Sequence, residues 1–268
     1  RVDSLVLGTI PAQCVSSGNA LPIDHVENLF ERGLRLGREE SAKNKIIVVS
    51  ECVPGGTTTA MATLLGAGYK IQNYISSSLP LLKQERRINL VTEGLEKSGL
   101  ISKLENGMKQ DPFFILAALG NPMQPVAAGI AIGASENSTV VLAGGSQMLA
   151  VYKIACGIAE TMNNQPLTRL RQNSLVITTK WVAYDTAADT PGLARCLSAP
   201  LACSTLSLES SIHEGLRAYE NGHVKEGVGA GAFISLAHLN AGRNESEIIE
   251  AIDSTYTQLI DRTSGRLN

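Results

Sequence analysis

The chain has 268 residues, of which 44% are hydrophobic and 18% charged. That is enough apolar material for a sizeable core, and it excludes general disorder. Its 23 Lys and Arg stand against 25 Asp and Glu, a net charge of -2, so the basic surplus that phosphate neutralisation along a nucleic acid requires is missing. Aromatic residues make up only 4%, which argues against a stacking platform for single strands.

This length suits one large domain, or one domain with a smaller lobe. Because the sequence opens at Arg1 within a strand-like run, a further N-terminal portion is expected. Cys14, Cys52, Cys156, Cys196 and Cys203 form no CxxC pair. They are expected to be single buried thiols of a cytoplasmic protein rather than a zinc ribbon or a disulfide framework. The longest apolar stretch, Phe113 to Ala134, is broken by Asn121, Pro122, Gln124 and Pro125, so no membrane span is expected. His25, His213, His223 and His238 are scattered, and no metal is expected.

Along the chain, Asp24 to Arg38 places Val26, Leu29, Phe30, Gly33, Leu34 and Leu36 at helical spacing. Three β-branched runs then each end in small residues before a helical pattern. The first is Lys45 to Glu51, followed by Pro54-Gly-Gly-Thr-Thr-Thr-Ala60. The second is Ser138 to Gly145, followed by Ser146 to Lys153. The third is Ser174 to Lys180, followed by a loop and Thr190-Pro-Gly-Leu-Ala194. Short, non-alternating apolar strands suit a parallel sheet buried on both faces, and strand, turn, helix in repetition is the pattern of an open α/β fold. Leu82 to Leu95 and Ser246 to about Arg262 predict two further helices, the latter capped by Asn244 or Ser246. Ligands of open parallel sheets sit at the carboxyl edge of the strands, so the glycine-rich turns point to one site.

Ser50-Glu-Cys-Val-Pro-Gly-Gly-Thr-Thr-Thr-Ala60 delivers Glu51 to that edge and opens a helix with Gly55, Gly56, Thr57 and Thr58. Free amides and hydroxyls at a helix start can hold an anion. Equally, the glycines can make a plain turn while Thr57 caps the helix. Ala143-Gly-Gly-Ser-Gln-Met148 repeats the geometry, with Gly144 and Gly145 permitting close approach and Ser146 and Gln147 offering neutral hydrogen bonds; tight helix–strand packing is the alternative. Val224-Lys-Glu-Gly-Val-Gly-Ala-Gly-Ala232 sets Lys225 and Glu226 beside Gly227 and leads into an apolar helix. A carboxylate against apolar walls can take a proton near neutrality, whereas a surface Lys–Glu pair before a turn cannot. Gly120-Asn-Pro-Met123 is a turn of weak meaning alone. Lys83, Arg86 and Arg87 either reach a phosphate or form a solvated helix face.

The three glycine motifs, in this order, resemble those of nicotinate-nucleotide:dimethylbenzimidazole phosphoribosyltransferase, in a divergent branch that Lys180-Trp-Val-Ala183 with Asp189-Thr190 also resembles. The likeness runs from about Ile10 to the end. It implies a doubly wound, mostly parallel α/β sheet with helices on both faces, a smaller helical lobe formed from the terminal segments, and a homodimer. It also implies a reaction without cofactor: a base nitrogen displaces nicotinate from C1′ of nicotinate mononucleotide, giving the α-riboside phosphate of the cobamide lower ligand. By resemblance Glu226 is the catalytic carboxylate, flanked by Lys225 and Gly227. Glu51, Gly55, Thr57 and Thr58 fall on the ribose-phosphate loop, where Val53 replaces a glycine and Gly56 an asparagine. Arg87, or else Lys83, falls on the phosphate-binding lysine. Gly144, Gly145, Ser146 and Gln147 complete the expected substrate contacts. The rivals are another nucleotide glycosyltransferase or phosphorylase, and a non-catalytic nucleotide-binding module.

Overall fold

The computed structural model describes residues 4–71, 74–75, 81–162, 164–223, 225 and 229–263, without the side chains of 81–84 and 164. In chain order the elements are α1 (Ile23–Ser41), β1 (Ile46–Ser50), α2 (Gly56–Gly66), α3 (Leu81–Lys97), α4 (Leu100–Glu105), α5 (Pro112–Leu119), α6 (Met123–Ala134), β2 (Thr139–Ala143), α7 (Ser146–Thr161), α8 (Asn164–Asn173), β3 (Ser174–Thr179), α9 (Lys180–Ala183), α10 (Thr190–Leu197), β4 (Leu201–Ser204), α11 (Glu214–Arg217), α12 (Ala230–Ala241) and α13 (Glu245–Thr263). The strands form one parallel sheet in the order β1-β2-β3-β4, with Ser50 beside Ala143, Ala143 beside Ile177 and Thr179 beside Ser204. All carboxyl ends therefore lie along one edge.

Strand alternation sends side chains to both faces. Val49, Val140, Leu142 and Val176 join the main core with residues of α1 to α8 and α10. Val141, Ala143 and Ile177 turn the other way and meet Ala232 of α12. Helices thus cover both faces, as expected. The apolar stretch of 113–134 folds as α5 and α6 around the Gly120-Asn-Pro turn, and no described helix is long and apolar enough to cross a membrane.

α1 and α6 pack backbone to backbone. Gly33 and Gly37 share one face of α1, and Gly129 and Gly133 share one face of α6. A Cβ built on Gly33 would run into the Val126 carbonyl, and one on Gly129 would lie 2.7 Å from Leu34 N.

α13 begins in a reciprocal cap: Asn244 Oδ1 accepts from Glu247 N, and Glu247 Oε2 accepts from Asn244 N, each at 3.0 Å. These two bonds satisfy orphan donors at both ends of the turn, so the cap is Asn244. Further along, Asp253 accepts from Ser211 Oγ and from Ile212 N, tying the 211–213 loop to the helix. Burial pushes the Asp253 carboxyl up, but these hydrogen bonds and the charges of His213 and Arg217 outweigh it and hold it below its ordinary value. A depressed carboxylate stabilises fully above its unfolded value of about 3.9. That contribution is lost as pH falls through the lower folded value. The expected result is that Asp253→Asn is less stable than the parent at pH 7 and loses less of its urea midpoint between neutrality and strong acid.

Three expectations need correction. Only Cys156 is a buried thiol; Cys14, Cys52 and Cys196 are exposed and Cys203 intermediate, because Cys52 lies just past the strand end and Cys196 on the outer face of α10. The segment after β3 is not all loop, since α9 continues straight from the strand with Thr179 Oγ1 accepting from Val182 N at 3.4 Å. β4 was not expected: Leu201-Ala-Cys-Ser204 is four residues without a β-branched side chain, and pairing with β3 makes it a strand.

Candidate active site

The first two strands each hand the chain to a turn at the carboxyl edge, and these turns meet each other and the start of α12. After β1, Gly55 adopts φ +76° and forms the N-cap of α2 with no side-chain cap. Thr57 therefore does not cap the helix, and Thr57 and Thr58 lie half-buried in its first turn. After β2, α7 opens at Gly145, also without a side-chain cap. A Cβ on Gly56 would land on the Gln147 amide, so these two helix starts are in contact. The start of α12 closes the group. Its N-cap Gly229 has φ +83°, and a Cβ there would lie 2.7 Å from Ala143 Cβ and 2.9 Å from Ser50 Cβ. Only glycine combines that backbone with that approach. Gly231 sits on the last peptides of β3, where a Cβ would be 2.6 Å from Thr179 N.

Three helices of 11, 16 and 12 residues thus begin at the ends of β1, β2 and β3. Their first amides and dipoles favour negative charge there. Ser146 and Gln147 are only 5% and 7% exposed, yet Ser146 Oγ and Gln147 Oε1 have no hydrogen-bond partner among the described residues. Buried polar atoms are nearly always paired, so two orphans at the same helix start mark a place for a polar ligand.

The remaining expected residues are distributed as follows. Glu51 is half-buried, and its Oε2 accepts from Val53 N at 2.8 Å, folding the carboxylate over its own turn. Gly144 takes φ +154° between β2 and α7. Lys225 Nζ donates to Asp185 Oδ2 at 2.7 Å. Arg87, on the helix that packs against α2, is 5% exposed with Nε and Nη1 unpartnered among the described residues, and burial pushes its guanidinium down. A buried cation in that condition favours an anion. Lys83 lies on α3 with its side chain outside the described residues, and Glu226 and Gly227 lie outside them altogether. Their flanks do not: Lys225 is tied to the end of β3 through Thr179, and Gly229 seats on β1 and β2.

Sequence reasoning passed over two supports. Asn121 is buried and donates to Thr59 Oγ1 at 2.8 Å, while Gln124 donates to Thr63 Oγ1 at 3.2 Å, so the Gly120-Asn-Pro turn holds α2 in place. Its polar residues within an apolar run were the available signal. Thr178 and Thr179 line the end of β3, fully buried. An apolar groove of about 930 Å³ lies elsewhere, between α12 and α13 past Phe233, Ile252 and Leu259. Its walls are helix flanks and include none of the strand-end turns.

The chain matches the phosphoribosyltransferase (DBI_PRT) family model over residues 9–168, which spans β1, β2 and the first two turns. The chain belongs to this phosphoribosyltransferase family. It is also 41% identical over 264 residues to the UPF0284 protein PCC7424_2681 of Gloeothece citriformis (strain PCC 7424), covering 97% of this chain and 69% of that protein. A UPF0284 protein of Trichodesmium erythraeum (strain IMS101) is 38% identical over 262 residues, covering 97% and 70%. Among solved structures, CobT from Thermus thermophilus superposes with a TM-score of 0.55 at 18% identity, over 79% of this chain and 59% of that one. A nicotinate-nucleotide-dimethylbenzimidazole phosphoribosyltransferase structure from the same organism gives 0.54 at 18%, over 85% and 68%. At that identity the structures establish a shared fold, and the chain spans 59% of the first of them.

Proposed function

We propose that this chain transfers the phosphoribosyl group of nicotinate mononucleotide to a ring nitrogen of an aromatic base, giving an α-riboside phosphate of the cobamide lower-ligand class. The observation that carries the reading is the meeting of three helix starts at one sheet edge beside the orphaned Ser146 and Gln147. Such a cradle suits a ribose phosphate, and the buried Arg87 suits its charge. The base nitrogen bonds to C1′ from the face opposite nicotinate, the C1′–N bond to nicotinate breaks, and the base gives up the proton of its other ring nitrogen to Glu226. The pyridinium is already an activated leaving group, and the carboxylate also favours positive charge developing at C1′. Fixing the phosphate at the helix starts holds the sugar for in-line attack. A homodimer is part of this reading.

The test is to incubate the protein with nicotinate mononucleotide and, in turn, dimethylbenzimidazole and adenine, and to analyse products by mass spectrometry. Equimolar nicotinate and α-riboside phosphate are expected. Ribose 1,5-bisphosphate and nicotinate formed only when inorganic phosphate is supplied would instead identify a phosphorylase, and binding without nicotinate release a non-catalytic module.

A further inference from the structure

Two segments remote in sequence are clasped together beside β3. One leaves the strand from Lys180 to Asp185, and the other runs from Glu220 to Lys225. Lys180 Nζ lies 2.9 Å from Glu220 Oε2, and Lys225 Nζ lies 2.7 Å from Asp185 Oδ2. The rungs are reciprocal: one segment carries cation then anion, the other anion then cation, at the same spacing. Running the segments the opposite way would set Lys180 against Lys225 and Asp185 against Glu220, so the charges define one alignment. Trp181 packs on Tyr219 with centroids 4.8 Å apart, in agreement with it. Two further bonds anchor the second segment: Thr179 Oγ1 donates to the Lys225 carbonyl, and Glu220 Oε1 accepts from Leu208 N at 2.7 Å.

The second rung is deeply placed, with the Lys225 and Asp185 side chains 14% and 4% exposed. A buried ion pair is a poor source of net stability compared with apolar packing, because desolvation offsets its attraction; its best-attested use is to fix one alignment. Lys225 is next in the chain to Glu226. Four residues on, Gly229 is fixed against Ser50 and Ala143.

We propose that Asp185 is a positioning residue: it holds Lys225, the neighbour of Glu226 in the chain, against the end of β3, without itself touching substrate. The proposal rests on the transferase reading above. Asp185→Asn, Lys225→Gln and the double variant, made in the full chain, test it. A misplacement of about 1 Å at a reacting group lowers rate by about 10²-fold, so each single variant is expected to lose about that much kcat with the KM for nicotinate mononucleotide nearly unchanged. The double variant is expected to be no worse than the poorer single, because the two residues act as one unit. Amide hydrogen exchange is expected to quicken in 222–229 and to stay unchanged in β2 and α7. If Asp185→Asn does not remain folded, the double variant, which removes both charges of this rung, carries the same comparisons.

Parental kcat in these variants, unchanged exchange in 222–229, or losses that simply add would each overturn the proposal. If the parent protein releases no nicotinate, the transferase reading fails by itself. Exchange then decides the clasp alone: faster exchange in 222–229 of the Asp185→Asn variant supports it, and unchanged exchange there rejects it.

Discussion

Glu226→Gln is expected to lower kcat by about 10²- to 10⁴-fold, the range a positioned general base supplies, while nicotinate mononucleotide still binds. Glutamine keeps the shape and one hydrogen-bonding oxygen but cannot take a proton, and it brings no charge to a developing cation at C1′. Binding is expected to persist because the phosphate is proposed to rest on other groups, namely the starts of α2 and α7 and the buried Arg87. Gln147→Ala is expected to behave in the opposite way. It removes a polar group beside the first residue of α2, so it should raise the KM for nicotinate mononucleotide more than it lowers kcat, since uniform binding is what it contributes. Steady-state kinetics with calorimetric titration of the nucleotide separate the two. A Glu226→Gln protein with parental turnover would remove the carboxylate from the mechanism, and one that no longer binds the nucleotide would make it a binding group instead.

The sheet edge was legible in the sequence because its requirements are local. A β-branched run must be followed by residues that let the backbone turn and approach closely, and Gly55–Gly56 and Gly144–Gly145 are such residues at the ends of such runs, while Gly229–Gly231 opens a helix that seats on those ends without following a strand of its own. Their meeting in space followed from parallel pairing, which puts every carboxyl end on one side. Partners across the chain were not legible. Lys225 reads as a cation available to a ligand until Asp185, 40 residues earlier, is brought against it. Arg87 reads as one of several charges on a helix until its burial sets it apart from the exposed Arg86. β4 escaped because a four-residue strand without β-branched residues owes its form to its neighbour rather than to propensity. The glycines of α1 escaped for a related reason: spacing placed Gly33 on the apolar face, but nothing local says that the facing helix brings glycines of its own.

That facing arrangement makes opposed predictions from two physical terms. Gly→Ala in a helix interior is worth about 1 kcal/mol in favour of alanine by propensity alone. At Gly33 and Gly129 the new methyl meets backbone rather than a movable side chain: the Val126 carbonyl in one case, the Phe30 carbonyl and Leu34 N in the other. The helices must then separate, and overpacking of that kind costs about 1–3 kcal/mol or more. Separation also loosens Phe30, Leu34, Ala127 and Ala131, which belong to the main core. Sterics are expected to win, so Gly33→Ala and Gly129→Ala should each lower stability, by about 2 kcal/mol, read as a lower urea midpoint with unchanged slope. The double variant should lose less than the sum, because a separation forced by the first methyl makes room for the second. A gain in stability at either position would mean that the helices are not held as close as these contacts place them. The effect should reach the active site as well: α6 follows directly on the turn whose Asn121 holds Thr59 in α2, so displacing α6 shifts the helix start proposed to hold the phosphate and should raise the KM for the nucleotide in protein that is still folded.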